Sequence, residues 1–167
     1  MDSLTTLRPV TAEDGPFLFR LYASTRTEEL AVVPWDEAQK EAFLRMQFQA
    51  QSKFYGESFP GAAFLVVLRD GEPAGRLYVD RRDDEIRLLD VALLPEHRGA
   101  GLGTALLRDL TAEAAAAGKP LRIHVERFNP ALRLYLRLGF KQIQDQGVYY
   151  LMEWRPDDSA AQEAGLR

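Results

Sequence analysis

The 167-residue chain contains no cysteine and only two histidines, His97 and His124. No apolar run approaches the ~18 residues that a membrane span requires. Without cysteine there is no disulfide framework, no thiolate nucleophile, no cysteine-bound covalent intermediate and no thiolate metal site. The two histidines are not spaced as metal ligands, so no metal is expected. The start of the chain lacks a basic segment followed by an apolar stretch, so no signal peptide is expected and the protein is placed in the cytoplasm. Basic charge is also in deficit. Twenty-five acidic residues against twenty-one basic ones give a net charge of −4, which argues against a general nucleic-acid binder. No internal repeat is present.

What is present reads as globular. A content of 46% hydrophobic and 28% charged residues is ordinary for a folded domain. A chain of this length buries roughly 70% of its unfolded surface as one unit. The expectation is a single domain over residues 1–155. Beyond it, from 156 to 167, the composition turns to Asp, Ser, Ala, Gln and Glu, which predicts a frayed tail.

The pattern predicts a strand over residues 4–10, then a helix capped at Thr11 that carries Phe17, Leu18, Leu21 and Tyr22 at helical spacing. A second helix is expected from about Asp36, with Phe43, Met46 and Ala50 on its apolar side and Gln47, Gln49 and Gln51 on its solvated side. Residues 62–68 and 73–80 read as a hairpin around Asp70-Gly71. A third strand follows over residues 85–93. A helix from Gly101 carries Leu102, Ala105, Leu106, Leu110, Ala114 and Ala117 and ends at Gly118 and Pro120. The strand 121–125, entered from that helix, is expected to lie parallel to 85–93. Asn129 and Pro130 open a further helix that Gly139 ends, and strands over 141–146 and 148–154 close the fold.

The strongest local signal is Arg98-Gly99-Ala100-Gly101-Leu102-Gly103, set between a buried strand and a helix. Glycines there let the backbone approach an anion closely, and the helix N-terminus adds its dipole. Two familiar nucleotide loops are excluded by spacing. The dinucleotide turn requires G-x-G-x-x-G with a distal carboxylate, and the P-loop requires Lys before Ser or Thr, whereas Gly103 is followed directly by Thr104.

Arg98, Gly101 and Gly103 after a strand that stops near Pro95, with Leu134-Tyr135 and Gly139-Phe140 on a later helix, resemble the two motifs of the GNAT superfamily of N-acyltransferases. The resemblance covers residues 62–154. The first 60 residues share only its coarse pattern. It implies an α/β (α+β) fold with a mixed six- to seven-stranded sheet, mostly antiparallel with one parallel pair, flanked by about four helices. It implies acetyl-CoA as co-substrate and direct transfer of the acetyl group to a primary amine of a small molecule, a peptide N-terminus or a lysine. A non-catalytic CoA-binding sensor or subunit is the alternative, and a homodimer stays open.

Site residues follow from the same resemblance. The pyrophosphate loop falls on Arg98, Gly99, Ala100, Gly101, Leu102, Gly103 and Thr104, and backbone groups of Val91 and Leu93 would face pantetheine. Tyr135 would sit near the sulfur and protonate the departing thiolate. Glu85 resembles the general-base glutamate of the histone-type branch, or it is a turn glutamate balancing Arg81, Arg82 or Arg87. Asp90, His124 and ordered water are its rivals. Asn129 stands six residues before Tyr135 where the family places Asn seven before, which leaves it either a CoA contact or a helix cap. Arg26, Glu28, Glu29, Trp35, Phe54, Tyr55 and Tyr149 could line an acceptor pocket, but each also fits a surface or packing role.

Overall fold

A computed structural model describes residues 4–156. Seven strands, β1 (Thr5–Pro9), β2 (Ala63–Arg69), β3 (Glu72–Arg81), β4 (Ile86–Leu93), β5 (Leu121–Glu126), β6 (Lys141–Asp145) and β7 (Tyr149–Trp154), are hydrogen-bonded in the order β1-β2-β3-β4-β5-β7-β6. The β4–β5 pair is parallel and the remaining neighbours are antiparallel. Among the described residues five α-helices accompany them: α1 (Gly15–Ser24), α2 (Thr27–Ala31), α3 (Glu37–Ser58), α4 (Leu102–Ala117) and α5 (Leu132–Arg137). The sequence pattern anticipated all but the short α2. The expected tail lies, apart from Pro156, outside the described residues.

The chain packs as two compact units. The first takes the described chain up to Leu77 together with Val91–Arg98. Its helix α1 follows a turn in which the Thr11 N–H donates to Asp14 Oδ2 at 2.7 Å, while Arg8 grips the same carboxylate at 2.8 and 2.9 Å. Helix α3 starts in a reciprocal cap: Gln39 N–H donates to Asp36 Oδ1 at 2.8 Å and Asp36 N–H to Gln39 Oε1 at 3.0 Å. The face of α3 differs from the expectation. Gln47 and Gln51 are half-buried, with Tyr22 Oη donating to Gln47 Oε1 and Arg76 Nη2 to Gln51 Oε1, both at 3.0 Å. Met46 is 60% exposed instead. Residues 43, 44, 47, 48 and 51 share a face at helical spacing, and buried polar partners on α1 and β3 give the glutamines their bonds. The β2–β3 turn places Asp70 at φ 51° and Gly71 at φ 83°, the two positive values that a tight right-twisted hairpin requires.

The second unit takes Tyr78–Asp90 and the chain from Gly99 onward. Helix α4 buries Leu102, Leu106, Leu107, Leu110 and Ala114, while Ala105 and Ala117 of the expected stripe face solvent. Gly118 ends it at φ 67°. Strand β5 alternates strictly: Leu121, Ile123 and Val125 are buried, and Arg122, His124 and Glu126 lie on the opposite side. The parallel ladder runs from Ile86↔Leu121 to Leu88↔Ile123, and both strands continue past it. Strand β7 then pairs with β5 from Leu121↔Trp154 to Glu126↔Tyr149.

Candidate active site

The first unit holds the end of β4 and Arg98. Val91 and Leu93 are half-buried. Arg98 folds back, its Nε donating to the Leu93 carbonyl oxygen at 3.0 Å, which occupies one lone pair of the backbone group expected to face an extended ligand. The strand end is shaped by a residue that the sequence reading passed over. Gly75 on β3 is buried, and a Cβ there would lie 2.2 Å from the Ala92 carbonyl oxygen and 2.8 Å from Leu93 Cδ2. The Leu94 N–H closes the same contact on the Ala74 carbonyl at 2.8 Å. A glycine inside an apolar strand is the available signal for such a close backbone approach. His97 is half-buried, and its Nδ1 is enclosed without a hydrogen-bond partner.

The glycine turn opens the described part of the second unit after β4. Gly99 and Gly101 have φ of 77° and 83°, and a Cβ at either would meet nothing within 4 Å. The glycines are thus demanded by backbone conformation, and the space over them is open. Gly101 caps α4 without any side-chain acceptor. The N–H groups of Leu102, Gly103 and Thr104 therefore have no partner inside the helix, and they carry the positive end of a 16-residue dipole. Open space, uncapped donors and left-handed glycines fit a phosphate group.

Tyr135 lies on α5, which begins at Leu132, later than Asn129 and Pro130 suggested. Asn129 Oδ1 accepts the Ala131 N–H at 2.9 Å and the Asn129 carbonyl accepts the Leu132 N–H at 3.0 Å. Its side-chain oxygen is thus engaged in the turn that leads into the helix, and the capping position itself falls on Ala131. Tyr135 is 3% exposed, whereas its neighbour Leu136 is 52% exposed, because successive helix residues point about 100° apart. The helix ends with Gly139 N–H on the Leu136 carbonyl at 3.1 Å and Phe140 N–H on the Tyr135 carbonyl at 3.0 Å. Gly139 has φ 98°, and a Cβ there would press on the Trp154 indole at 3.3 Å. This is a left-handed helix stop with its hydrophobic contact: the Tyr135 and Phe140 rings meet edge to face, centroids 5.5 Å apart. Burial, and then the negative charge of Asp90, push the Tyr135 phenol well above its ordinary value, so it stays protonated. Among the described residues none hydrogen-bonds its hydroxyl.

Glu85 is 4% exposed and lies between three guanidinium groups. Arg82 Nη1 donates to its Oε1 at 2.9 Å, Arg87 Nη2 to the same oxygen at 3.0 Å, and Arg122 Nη1 to its Oε2 at 3.0 Å. Arg122 also binds Glu153 at 2.8 Å, and Arg155 binds Glu153 at 2.6 Å. Three charge-assisted bonds hold the carboxylate in place. The arrangement fits a glutamate balancing Arg82 and Arg87, and adds Arg122 to them. His124 is partnered as well: its Nδ1 lies 3.2 Å from Arg87 Nη1. Burial and the Arg87 charge hold the ring below its ordinary value, with Glu85 and a hydrogen bond to Gln146 acting in the opposite direction.

The remaining aromatic and charged candidates stay apart in role. Arg26 pairs with Glu29 at 2.9 Å and stands over the Tyr22 ring. Tyr55 packs among Phe54, Phe59 and Phe64, whereas Trp35 and Tyr149 are 40% and 44% exposed. Among the described residues no group of three His, Cys, Asp or Glu could hold a metal ion, and no helix is long and apolar enough to cross a membrane.

Residues 60–142 match the family model described as an acetyltransferase (GNAT) domain. A Bacillus subtilis protein, named provisionally as a ribosomal protein bS18-alanine N-acetyltransferase, is 27% identical over 90% of this chain and 89% of its own. The Haemophilus influenzae ribosomal protein bS18-alanine N-acetyltransferase is 34% identical over 40% of this chain and 47% of its own. Among solved structures, the PaiA N-acetyltransferase of Thermoplasma acidophilum in complex with coenzyme A superposes with a TM-score of 0.69 at 21% identity, covering 91% of this chain and 99% of that one. The ribosomal-protein-S18-alanine N-acetyltransferase of Escherichia coli does so with a TM-score of 0.61 at 21% identity, covering 91% and 94%.

Proposed function

This chain belongs to the GNAT acetyltransferases, enzymes that use acetyl-CoA to acetylate amines, and we propose that its acceptor is the α-amine of a polypeptide. The observation that carries the acceptor is the similarity, along nine-tenths of the chain, to a protein named for acetylating a ribosomal-protein alanine. The proposal takes residues 1–155 as one catalytic domain.

In this reading Gly99, Ala100, Gly101 and the N–H groups of Leu102, Gly103 and Thr104 bind the pyrophosphate, with Arg98 alongside. Support comes from the open left-handed glycines and the uncapped start of α4. Val91 and Leu93 pair their backbone with the pantetheine chain, as an added strand pairs with an edge. Acetyl-CoA supplies a thioester whose C–S bond breaks as the amine nitrogen bonds to the acetyl carbon. Tyr135 gives its phenolic proton to the departing sulfur, and it regains a proton, through water, from the nitrogen that has just been acylated. The lack of a bonded partner for its hydroxyl among the described residues supports that role, and burial keeps the phenol in the protonated form that a donor must have. Glu85 holds Arg82, Arg87 and Arg122 in place, and water takes the ammonium proton before attack.

The test is release of CoA thiol with acetyl-CoA and a panel of a peptide with N-terminal alanine, the same peptide with its N-terminus blocked and an internal lysine, and a polyamine. Turnover confined to the free α-amine supports the reading. Turnover only on the polyamine or the lysine peptide refutes the acceptor and leaves the acetyl transfer standing.

A further inference from the structure

His124 is the next residue on β5 after the β4–β5 ladder ends at Leu88↔Ile123. A parallel pair that parts within a mixed sheet is where such sheets take ligands. The ring is on the exposed side of β5, opposite the buried Ile123 and Val125. Its Nδ1 faces Arg87 Nη1 at 3.2 Å. A guanidinium has only donors, so Nδ1 must be the acceptor in this pair, and the single ring proton of neutral histidine sits on Nε2. Arg87 cannot swing away freely, because its Nη2 is held by Glu85 at 3.0 Å, and Glu85 is fixed in turn by Arg82 and Arg122. Glu85, Arg87 and His124 thus form a chain that sets one tautomer. The Gln146 side chain, just past β6, is a further hydrogen-bond neighbour of the ring, in the sense of accepting from it.

We propose that His124 is a specificity residue, a neutral ring locked by Arg87 with its Nε2–H as a donor to the first carbonyl oxygen of a polypeptide acceptor. The inference rests on the polypeptide reading above. It assigns His124 to binding and removes it from the candidates for the base, since a nitrogen that already bears a proton cannot accept another. A peptide N-terminus has a carbonyl carbon two bonds from the reacting amine nitrogen, and a simple monoamine has none. The donor therefore distinguishes the two classes, and the bound carbonyl displaces or shares the Gln146 contact.

Two measurements test it. First, kcat/KM is taken for an alanine-starting peptide and for its analogue with the first carbonyl reduced to methylene. The wild-type protein should prefer the peptide by about 5–10-fold, the worth of one hydrogen bond. His124→Ala should lose that preference through KM of the peptide, with the analogue's kcat/KM within about twofold of wild type. His124→Gln, whose amide N–H can stand near the position of Nε2–H, should recover most of the preference. Equal losses on both acceptors, or retained preference in the alanine variant, overturns the proposal. Second, ¹⁵N spectra of the wild-type imidazole should show the proton on Nε2, and Arg87→Met should allow both tautomers. A wild-type ring protonated on Nδ1 overturns the proposal even if His124→Ala does not fold. If no α-amine peptide is turned over, the acceptor reading falls and this contact with it. If peptides are turned over without discrimination, only the role of His124 falls.

Discussion

Phe140 donates its backbone N–H to the Tyr135 carbonyl at 3.0 Å while its ring meets the Tyr135 ring edge to face at 5.5 Å. Backbone and side chain of one residue thus fix the other. The pair explains why tyrosine, three intervening residues, glycine and phenylalanine occur together: the spacing is that of a helix stop in which the residue after the left-handed glycine packs on the residue that ends the hydrogen-bonded turn. The phenol ring is thus held by its helix end.

Gly139→Ala should disturb that stop. The residue has φ 98°, and the added methyl presses on Trp154. The expected cost is about 1–3 kcal/mol, a fall of roughly 2–12 °C in Tm. Turnover should fall more than acetyl-CoA affinity, because Tyr135 moves with the helix end. Thermal melts and calorimetry with acetyl-CoA decide it.

Tyr135→Phe retains the ring contact with Phe140 and removes only the proton. Stability and acetyl-CoA affinity should stay close to wild type, while kcat falls by about 10²–10⁴ if protonation of the thiolate limits the rate. A kcat within about twofold of wild type, equivalent to ~0.4 kcal/mol, would make the tyrosine a packing residue.

Gly101→Glu places a side chain and a negative charge over the open turn at a residue with φ 83°. Acetyl-CoA binding should vanish in calorimetry. Gly101→Ala bears the same backbone strain without the charge and should weaken binding less. Unchanged affinity in a folded glutamate variant would remove the phosphate from this turn.

Glu85→Gln should act on stability. It leaves Arg82, Arg87 and Arg122 without their shared carboxylate, and loss of one partner from a buried ionic cluster costs about 3–5 kcal/mol. Where the variant folds, its pH profile of kcat/KM should keep the wild-type shape. A limb lost near neutral pH would restore Glu85 as the base.

Arg8 holds the Asp14 carboxyl well below the ordinary carboxylate range, first through its side-chain hydrogen bonds and then with help from the Thr11 N–H. A depressed carboxylate contributes stability that is complete above its unfolded value, near pH 4, and is lost as pH falls toward the folded one. Arg8→Met should therefore be less stable than wild type at neutral pH, and the gap should narrow as acid is added. Denaturant midpoints at a series of pH values measure it. A gap constant with pH would mean that the arginine contributes packing alone.

Local chemistry made much of this legible without coordinates. Asp70-Gly71 specified its hairpin because few residue pairs tolerate two positive φ values. Gly101 and Gly139 marked a helix start and a helix stop for the same reason. The Arg98–Gly103 and Tyr135–Phe140 motifs are short stretches whose backbone conformation is set by glycines within them. That is why they stood out.

Tertiary structure decided whatever depends on partners distant along the chain. Glu85 read either as a base or as a turn glutamate balancing Arg81, Arg82 or Arg87, and only the fold brings Arg122, on another strand, to join Arg82 and Arg87 around it. The glutamines of α3 looked solvated until Tyr22 and Arg76 supplied their bonds. Gly75 looked like an ordinary strand residue until the Ala92 carbonyl came within 2.2 Å of where its Cβ would be. His124 acquired a fixed tautomer only because Arg87 lies beside it across the parallel register. A sequence determines which groups are available and how the nearby backbone can bend, but only packing determines which distant charge neutralises, orients or occupies each of them.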